Sequence, residues 1–112
     1  MYVLEIKNGE LLSQIEEQAV AQGIKNAAIV SLIGGVDSFT VSTMPMNDAT
    51  SDVVSEYAMP AEMHGSGEIV DGSVHIHATM AVQGDRAVAG HVHKANIETW
   101  FARAYVIPTD VS

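Results

Sequence analysis

Ser73-Val74-His75-Ile76-His77-Ala78-Thr79-Met80-Ala81-Val82 sorts without exception into two sets of alternate residues. It is followed by Gln83-Gly84-Asp85 and then by Arg86-Ala87-Val88-Ala89-Gly90-His91-Val92-His93. A strand sends successive side chains to opposite faces. Val74, Ile76, Ala78, Met80 and Val82 therefore share one face, and Ser73, His75, His77, Thr79 and Ala81 the other. With Gln83-Gly84-Asp85 as a three-residue loop, Val82 pairs with Arg86, Met80 with Val88, Ala78 with Gly90 and Ile76 with Val92. On the opposite face His77 then meets His91 and His75 meets His93, because directly paired residues share a face. A two-residue loop at Gly84-Asp85 is also compatible with a hairpin, and it would send His91 to the far side. The three-residue loop keeps one face apolar, and a buried face specifies register strongly. It is the favoured reading.

Outward from this hairpin, the rest of the chain reads as one helix and many short strands. Tyr2 to Lys7 suits a strand ending at the turn signal Asn8-Gly9. Glu10 to Gln22 suits a helix with Leu11, Leu12, Ile15 and Ala19 on one face and Gly23 at its C-terminal cap. Ala27 to Ile33 is an apolar run closed by Gly34-Gly35, with Asp37 to Ser42 as a partner strand. Residues 43–54 are rich in turn formers and read as a surface loop. Ser55 to Ala61, Met63 to Val70 (interrupted by Gly65 and Gly67) and Glu98 to Ile107 complete the strands. The expected fold class is α+β: a central antiparallel sheet with one main N-terminal helix in a single compact domain, residues 1–112 with a core of about 2–108.

Composition narrows the function classes. The chain has 112 residues, no cysteine, and 14 acids against Lys7, Lys25, Arg86, Lys94 and Arg103, a formal net charge of -9. Affinity for nucleic acid comes mainly from cations on phosphates. Five dispersed basic residues form no stripe, so direct binding to nucleic acid or to an anionic membrane is not expected. Met1 to Lys7 lacks the form of a secretory signal, and no apolar run approaches the ~20 residues of a membrane span. A cytoplasmic protein is the expectation.

The chemistry sits on the histidines. His75 and His77 lie about 6.6 Å apart at ~3.3 Å per residue, close enough to share one ion, with His91 as third ligand and His93 as a fourth. Imidazole ligands without thiolates favour Zn2+, or another divalent transition metal, and disfavour copper(I) and iron–sulfur centres. Three histidines would leave a position for water or a small-molecule ligand, whereas a fourth would close the site. Glu62 and Glu98 are the acids assigned as general acid–base groups or as partners of a ligating histidine. His64, beside Gly65, reads as an ordinary strand or turn residue. Arg86 and Arg103 read as anion clamps or as partners of acids, and Trp100, Phe101 and Tyr105 as core or subunit-interface residues.

The order of features resembles a known family. Gly23-Ile24, Ala27, Ile29, Ser31 and Ile33-Gly34-Gly35 are followed by Glu62-Met63, Gly65, Gly67-Glu68-Ile69, Asp71-Gly72, His75-Ile76-His77, Gly90-His91 and Glu98-Thr99. Together these are similar to the plants-and-prokaryotes-conserved domain, called PPC or PCC, over nearly the whole chain. The resemblance implies a homotrimer and, in prokaryotic members, a zinc ion on His75, His77 and His91. It also implies a distant similarity to acetolactate decarboxylase, a metalloenzyme with histidine-bound zinc. The family carries a DNA-binding label, since plant members join the domain to AT-hook segments; this sequence has no Arg-Gly-Arg-Pro hook and no basic tail. Three functions are thereby in play. They are a stand-alone zinc-binding PPC protein, a DNA-associated protein, and a metal-dependent lyase or hydrolase acting on a small carbonyl substrate.

Overall fold

The computed structural model describes residues 1–110. Strand β1 (Tyr2–Ile6) leads through the two-residue strand β2 (Gly9–Glu10) into helix α1 (Leu11–Ala21). Seven strands follow: β3 (Ala27–Val36), β4 (Ser38–Thr43), β5 (Val53–Tyr57), β6 (Ala61–Val70), β7 (Ser73–Val82), β8 (Arg86–Ile97) and β9 (Ala102–Pro108). They form one antiparallel sheet in the order β1-β9-β3-β6-β7-β8-β4-β5, with β2 pairing β8. No helix is long and apolar enough to cross a membrane among the described residues.

Both ends of α1 are closed by specific bonds. A helix begins with backbone N–H groups that have no internal partner. Glu10 satisfies two of them, its carboxylate accepting from Leu12 N and Ser13 N, both at 3.0 Å. The same carboxylate accepts from Ala95 N at 3.1 Å and so fastens the helix start to β8. At the other end Gly23 takes φ +72°, Gly23 N donates to Val20 O, and Ile24 N to Ala19 O. These are the two bonds of a Schellman cap, and Ile24 and Ala19 are both buried beside it. Leu11, Ile15 and Ala19 press onto a core that includes Ile6, Ile69, Ile76 and Ile97. Each such aliphatic side chain contributes ~1.5–3 kcal/mol by leaving water.

Several expectations are corrected by non-local contacts. The run from Ala27 does not stop at Gly34-Gly35; β3 continues to Val36. A Cβ on Gly34 would lie 2.3 Å from Phe101 O and 2.6 Å from Ala102 Cα, so Gly34 admits the start of β9 rather than ending the strand. Gly65 and Gly67 likewise lie inside an uninterrupted β6. Strand β4 is not the partner of β3: Asp37 alone separates them, and β4 pairs with β8 and β5. Val53 and Val54, expected in the loop, begin β5. Strand β8 runs past His93 to Ile97, and β9 starts at Ala102 rather than Glu98.

Asp37 explains the late start of β9. Its carboxylate accepts from Glu98 N at 2.7 Å, from Thr99 N at 3.1 Å and from the Thr99 hydroxyl, which holds residues 98–101 in a turn. The Thr99 hydroxyl, then the two backbone N–H groups, keep the Asp37 carboxyl below its ordinary value of 3.8. A lowered acid stabilises the fold above its unfolded pKa and loses that effect as pH falls through the folded value. Asp37→Asn is therefore expected to be less stable than the unsubstituted protein near neutrality. In urea unfolding the gap should narrow below about pH 3.8; a gap independent of pH would show that the carboxylate charge is not what holds the turn.

The sheet has two unlike faces. The inner one is apolar, and α1 packs on it against β1, β7 and β8. The outer one carries Glu62, His64, Ser66 and Glu68 of β6, His75, His77 and Thr79 of β7, and His91 of β8. Further across, the outer face exposes Val3, Val30, Ile33 and Ile107, each between 44% and 53% accessible. Trp100 is 65% exposed rather than in the core, while Phe101 lies beneath the Arg103 guanidinium, 4.2 Å from its ring centre.

Candidate metal centre

The hairpin of β7 and β8 adopts the three-residue loop, with Gly84 and Asp85 at φ +91° and +57°. Its register is Val82↔Arg86, Met80↔Val88, Ala78↔Gly90 and His77↔His91. The pairing ends there, so His75 does not meet His93 across the ladder. The reason lies in β8, where β4 pairs Val41 with Val92 but Thr40 with Lys94. One residue of β8, His93, is extra, and such a bulge reverses the alternation beyond it. Val92 is buried before the bulge and Ala95 and Ile97 after it. His93 is turned toward β4, its Nε2 at 2.8 Å from Ser42 Oγ and its ring 4.7 Å from that of His91.

His75, His77 and His91 converge. Their ligand nitrogens lie within 4.8 Å of one another, and His75 Nε2 is 3.1 Å from His77 Nε2. Nitrogens on one tetrahedral zinc ion, bonded at about 2.0–2.1 Å, stand about 3.3 Å apart. The three imidazole nitrogens are thus near the spacing a shared divalent ion requires, and the donor set suits one. Burial holds the His91 imidazole below its ordinary pKa, and the neighbouring His93, His75 and His77 add to the effect. A metal ligand must be neutral imidazole, so this environment keeps His91 ready to coordinate.

Glu68 stands opposite His75 in the β6–β7 ladder, with Oε2 3.5 Å from His75 Nδ1. That contact is at the long limit of a hydrogen bond, but it directs Nδ1 toward a carboxylate and leaves Nε2 for the ion. Glu62 pairs with Ala81, four residues along β6 from the position opposite His77. Glu98 lies in the turn held by Asp37. Neither borders the cavity beside the histidines.

That cavity has a volume of about 850 Å³ and is lined by Ser42, Asp52, His64, Ser66 and Thr79 together with the three imidazoles. Met44, Ala49 and Asp52, from the segment between β4 and β5, line one part of it. Asp48 braces this segment by accepting from Thr50 N at 2.9 Å, Thr50 Oγ1 at 2.6 Å and Ser51 Oγ at 2.8 Å. His64, read from sequence as ordinary, faces this space. Period-two counting back along β6 from the Asp71-Gly72 turn puts His64, Ser66 and Glu68 on the histidine side and was the available signal. Asp52 had none, because a loop has no periodicity.

Fold and site together define a small α+β domain with a histidine cluster capable of binding a metal ion. The chain belongs to the Plants and Prokaryotes Conserved (PCC) domain family, whose pattern matches residues 1–109. A metal-containing protein from Archaeoglobus fulgidus is 28% identical, with TM-score 0.78, over 96% of this chain and 77% of that one. A plant- and prokaryote-conserved (PPC) protein from Pyrococcus horikoshii shares 19% identity and TM-score 0.82 over 99% of this chain and 80% of that one. More distantly, a Staphylococcus aureus protein similar to alpha-acetolactate decarboxylase has 13% identity and TM-score 0.64, over 95% of this chain and 52% of that one. No curated protein matches the chain.

Proposed function

We propose that His75, His77 and His91 hold a divalent metal ion, zinc by ligand type, in a cytoplasmic homotrimeric PPC-domain protein that acts on a small carbonyl compound in the adjoining cavity. The observation that carries this reading is the convergence of three imidazoles from two strands at the mouth of a cavity. Zinc bound there would supply a Lewis acid for a carbonyl oxygen, or a water acidic enough to attack one. The chain's own contributions are to orient His75 through Glu68, to favour neutral His91 by burial, and to line the cavity with Met44, Ala49 and Asp52. Lyase or hydrolase chemistry suits these parts. The exposed Val3, Val30, Ile33 and Ile107 support self-association, since clustered apolar surface marks interaction sites.

Direct DNA binding is the weaker reading. The net charge is -9, Lys7 and Arg103 are paired with Glu5, and Lys25 is paired with Asp71. The test is metal content and mass in solution, measured on protein purified without a histidine tag and refilled with zinc. About one zinc per chain is expected, in a particle of three chains. Zinc content near zero would end the metal reading, and a monomer would end the trimer reading alone.

A further inference from the structure

The cavity beside the histidines is walled in good part by Met44, Ala49, Ala78 and Ala89, and its few polar groups are of one kind. Hydroxyls come from Ser66 and Thr79, an imidazole from His64, and one carboxylate from Asp52, while the Ser42 hydroxyl is engaged by His93. All five cationic side chains of the protein stand elsewhere. Lys7 and Arg103 meet Glu5, and Lys25 meets Asp71. Arg86 opens β8 opposite Val82, and Lys94 lies beyond the bulge opposite Thr40.

Sites that recognise carboxylates or phosphates normally present Arg or Lys, whose charged donors match those anions. In this cavity an anion would find no cationic side chain and would face Asp52. The segment just before Asp52 is braced by Asp48, and Asp52 lines the same cavity as His75, His77 and His91. A neutral molecule with several hydroxyls fares differently. Asp52 accepts from its O–H groups, and the serine and threonine hydroxyls both donate and accept. A volume of about 850 Å³ leaves room for a compound from triose to hexose size.

We propose that the cavity takes small, uncharged, polyhydroxylated carbonyl compounds, and that Asp52 sets this preference by accepting a hydrogen bond from a substrate hydroxyl and repelling carboxylates. The proposal rests on the metal-centre reading for the histidines and adds the substrate class. A bound dication attracts anions of its own accord, so the quantity that decides is a ratio of affinities and its dependence on residue 52.

The experiment titrates dihydroxyacetone and pyruvate into full-length protein and follows the amide resonances of Ala49, Thr79 and Ala89 by NMR. Zinc content is measured beforehand, and the titrations are run on zinc-loaded and metal-free samples. A chain that takes up no zinc counts against the metal centre, while the metal-free titration still reads the cavity. Dihydroxyacetone is expected to bind the unsubstituted protein more tightly than pyruvate. In Asp52→Asn the ratio should move toward pyruvate by about tenfold, and in Asp52→Lys the order should invert. Residue 52 is exposed and precedes β5, so neither change disturbs the core. Three results would overturn the proposal: pyruvate bound as tightly as dihydroxyacetone, a ratio unmoved by both substitutions, or no binding of either compound.

Discussion

Replacing His77 by alanine is expected to leave a folded chain that has lost its metal. His77 is exposed in the middle of β7, so shortening it opens no hole in the core. Its Nε2 is 3.1 Å from that of His75 and its Cα pairs with that of His91, which makes it one of the three converging donors. Losing a group that merely orients a ligand costs about 10–100-fold in affinity, and Glu68→Gln should fall in that range. Losing a ligand itself should cost at least about 1,000-fold, or ~4 kcal/mol. Competition with a chromophoric chelator measures both. Because a metal that binds only the folded state raises stability by mass action, added zinc should raise the melting temperature of the unsubstituted protein and leave that of His77→Ala where it was. An alanine variant that binds zinc with undiminished affinity would show that the ion, if any, sits elsewhere.

Gly67→Val is expected to be the most damaging single change outside the cluster. A Cβ at Gly67 would stand 2.1 Å from the carbonyl oxygen of His75 and 3.0 Å from Ile76 Cα. Both obstacles are backbone, so no side-chain rotation relieves them, and β6 must move away from β7 where Ile76 is fully buried. Overpacking alone costs ~1–3 kcal/mol; with strand separation added, about 4 kcal/mol or more is expected, in the exceptional class for a point change. Gly67→Ala gives the milder, measurable version. Gly72 is the control, since at φ +82° it has nothing within 4 Å of an added Cβ and alanine there should cost only ~1–2 kcal/mol of backbone strain. Urea unfolding of the two alanine variants decides the matter. Equal losses at 67 and 72 would mean that the close approach of β6 and β7 is not structurally required.

What the sequence revealed follows the range of the forces involved. Helix α1 and its Gly23 cap were legible because periodicity and capping act within a few residues. The hairpin register was legible because an apolar face penalises any slip by one residue. Gly34-Gly35 and Gly65 with Gly67 misled, since a glycine that admits a neighbouring strand looks in sequence like one that ends its own. The separation of β4 from β3 could not be read at all: a single residue, Asp37, joins strands that lie far apart in the sheet. His93 failed as a partner for His75 because the bulge is set by β4, some fifty positions away in the chain. Among the acids, Glu68 was within reach of the Asp71-Gly72 turn and period-two counting, while Glu62 lies on the same face of β6 opposite Ala81.

The placement of β9 between β1 and β3 has a consequence for how this chain reaches its native state. Tyr2–Ile6 is made on the ribosome long before its ladder partner, Ala102–Pro108. Until then one side of β3 also lies open, a template on which a second nascent chain could add a strand. Such long-range closure slows folding into the millisecond-to-second range typical of topologies dominated by distant pairings. Yield in a crowded cell should therefore depend on how quickly those seven residues arrive.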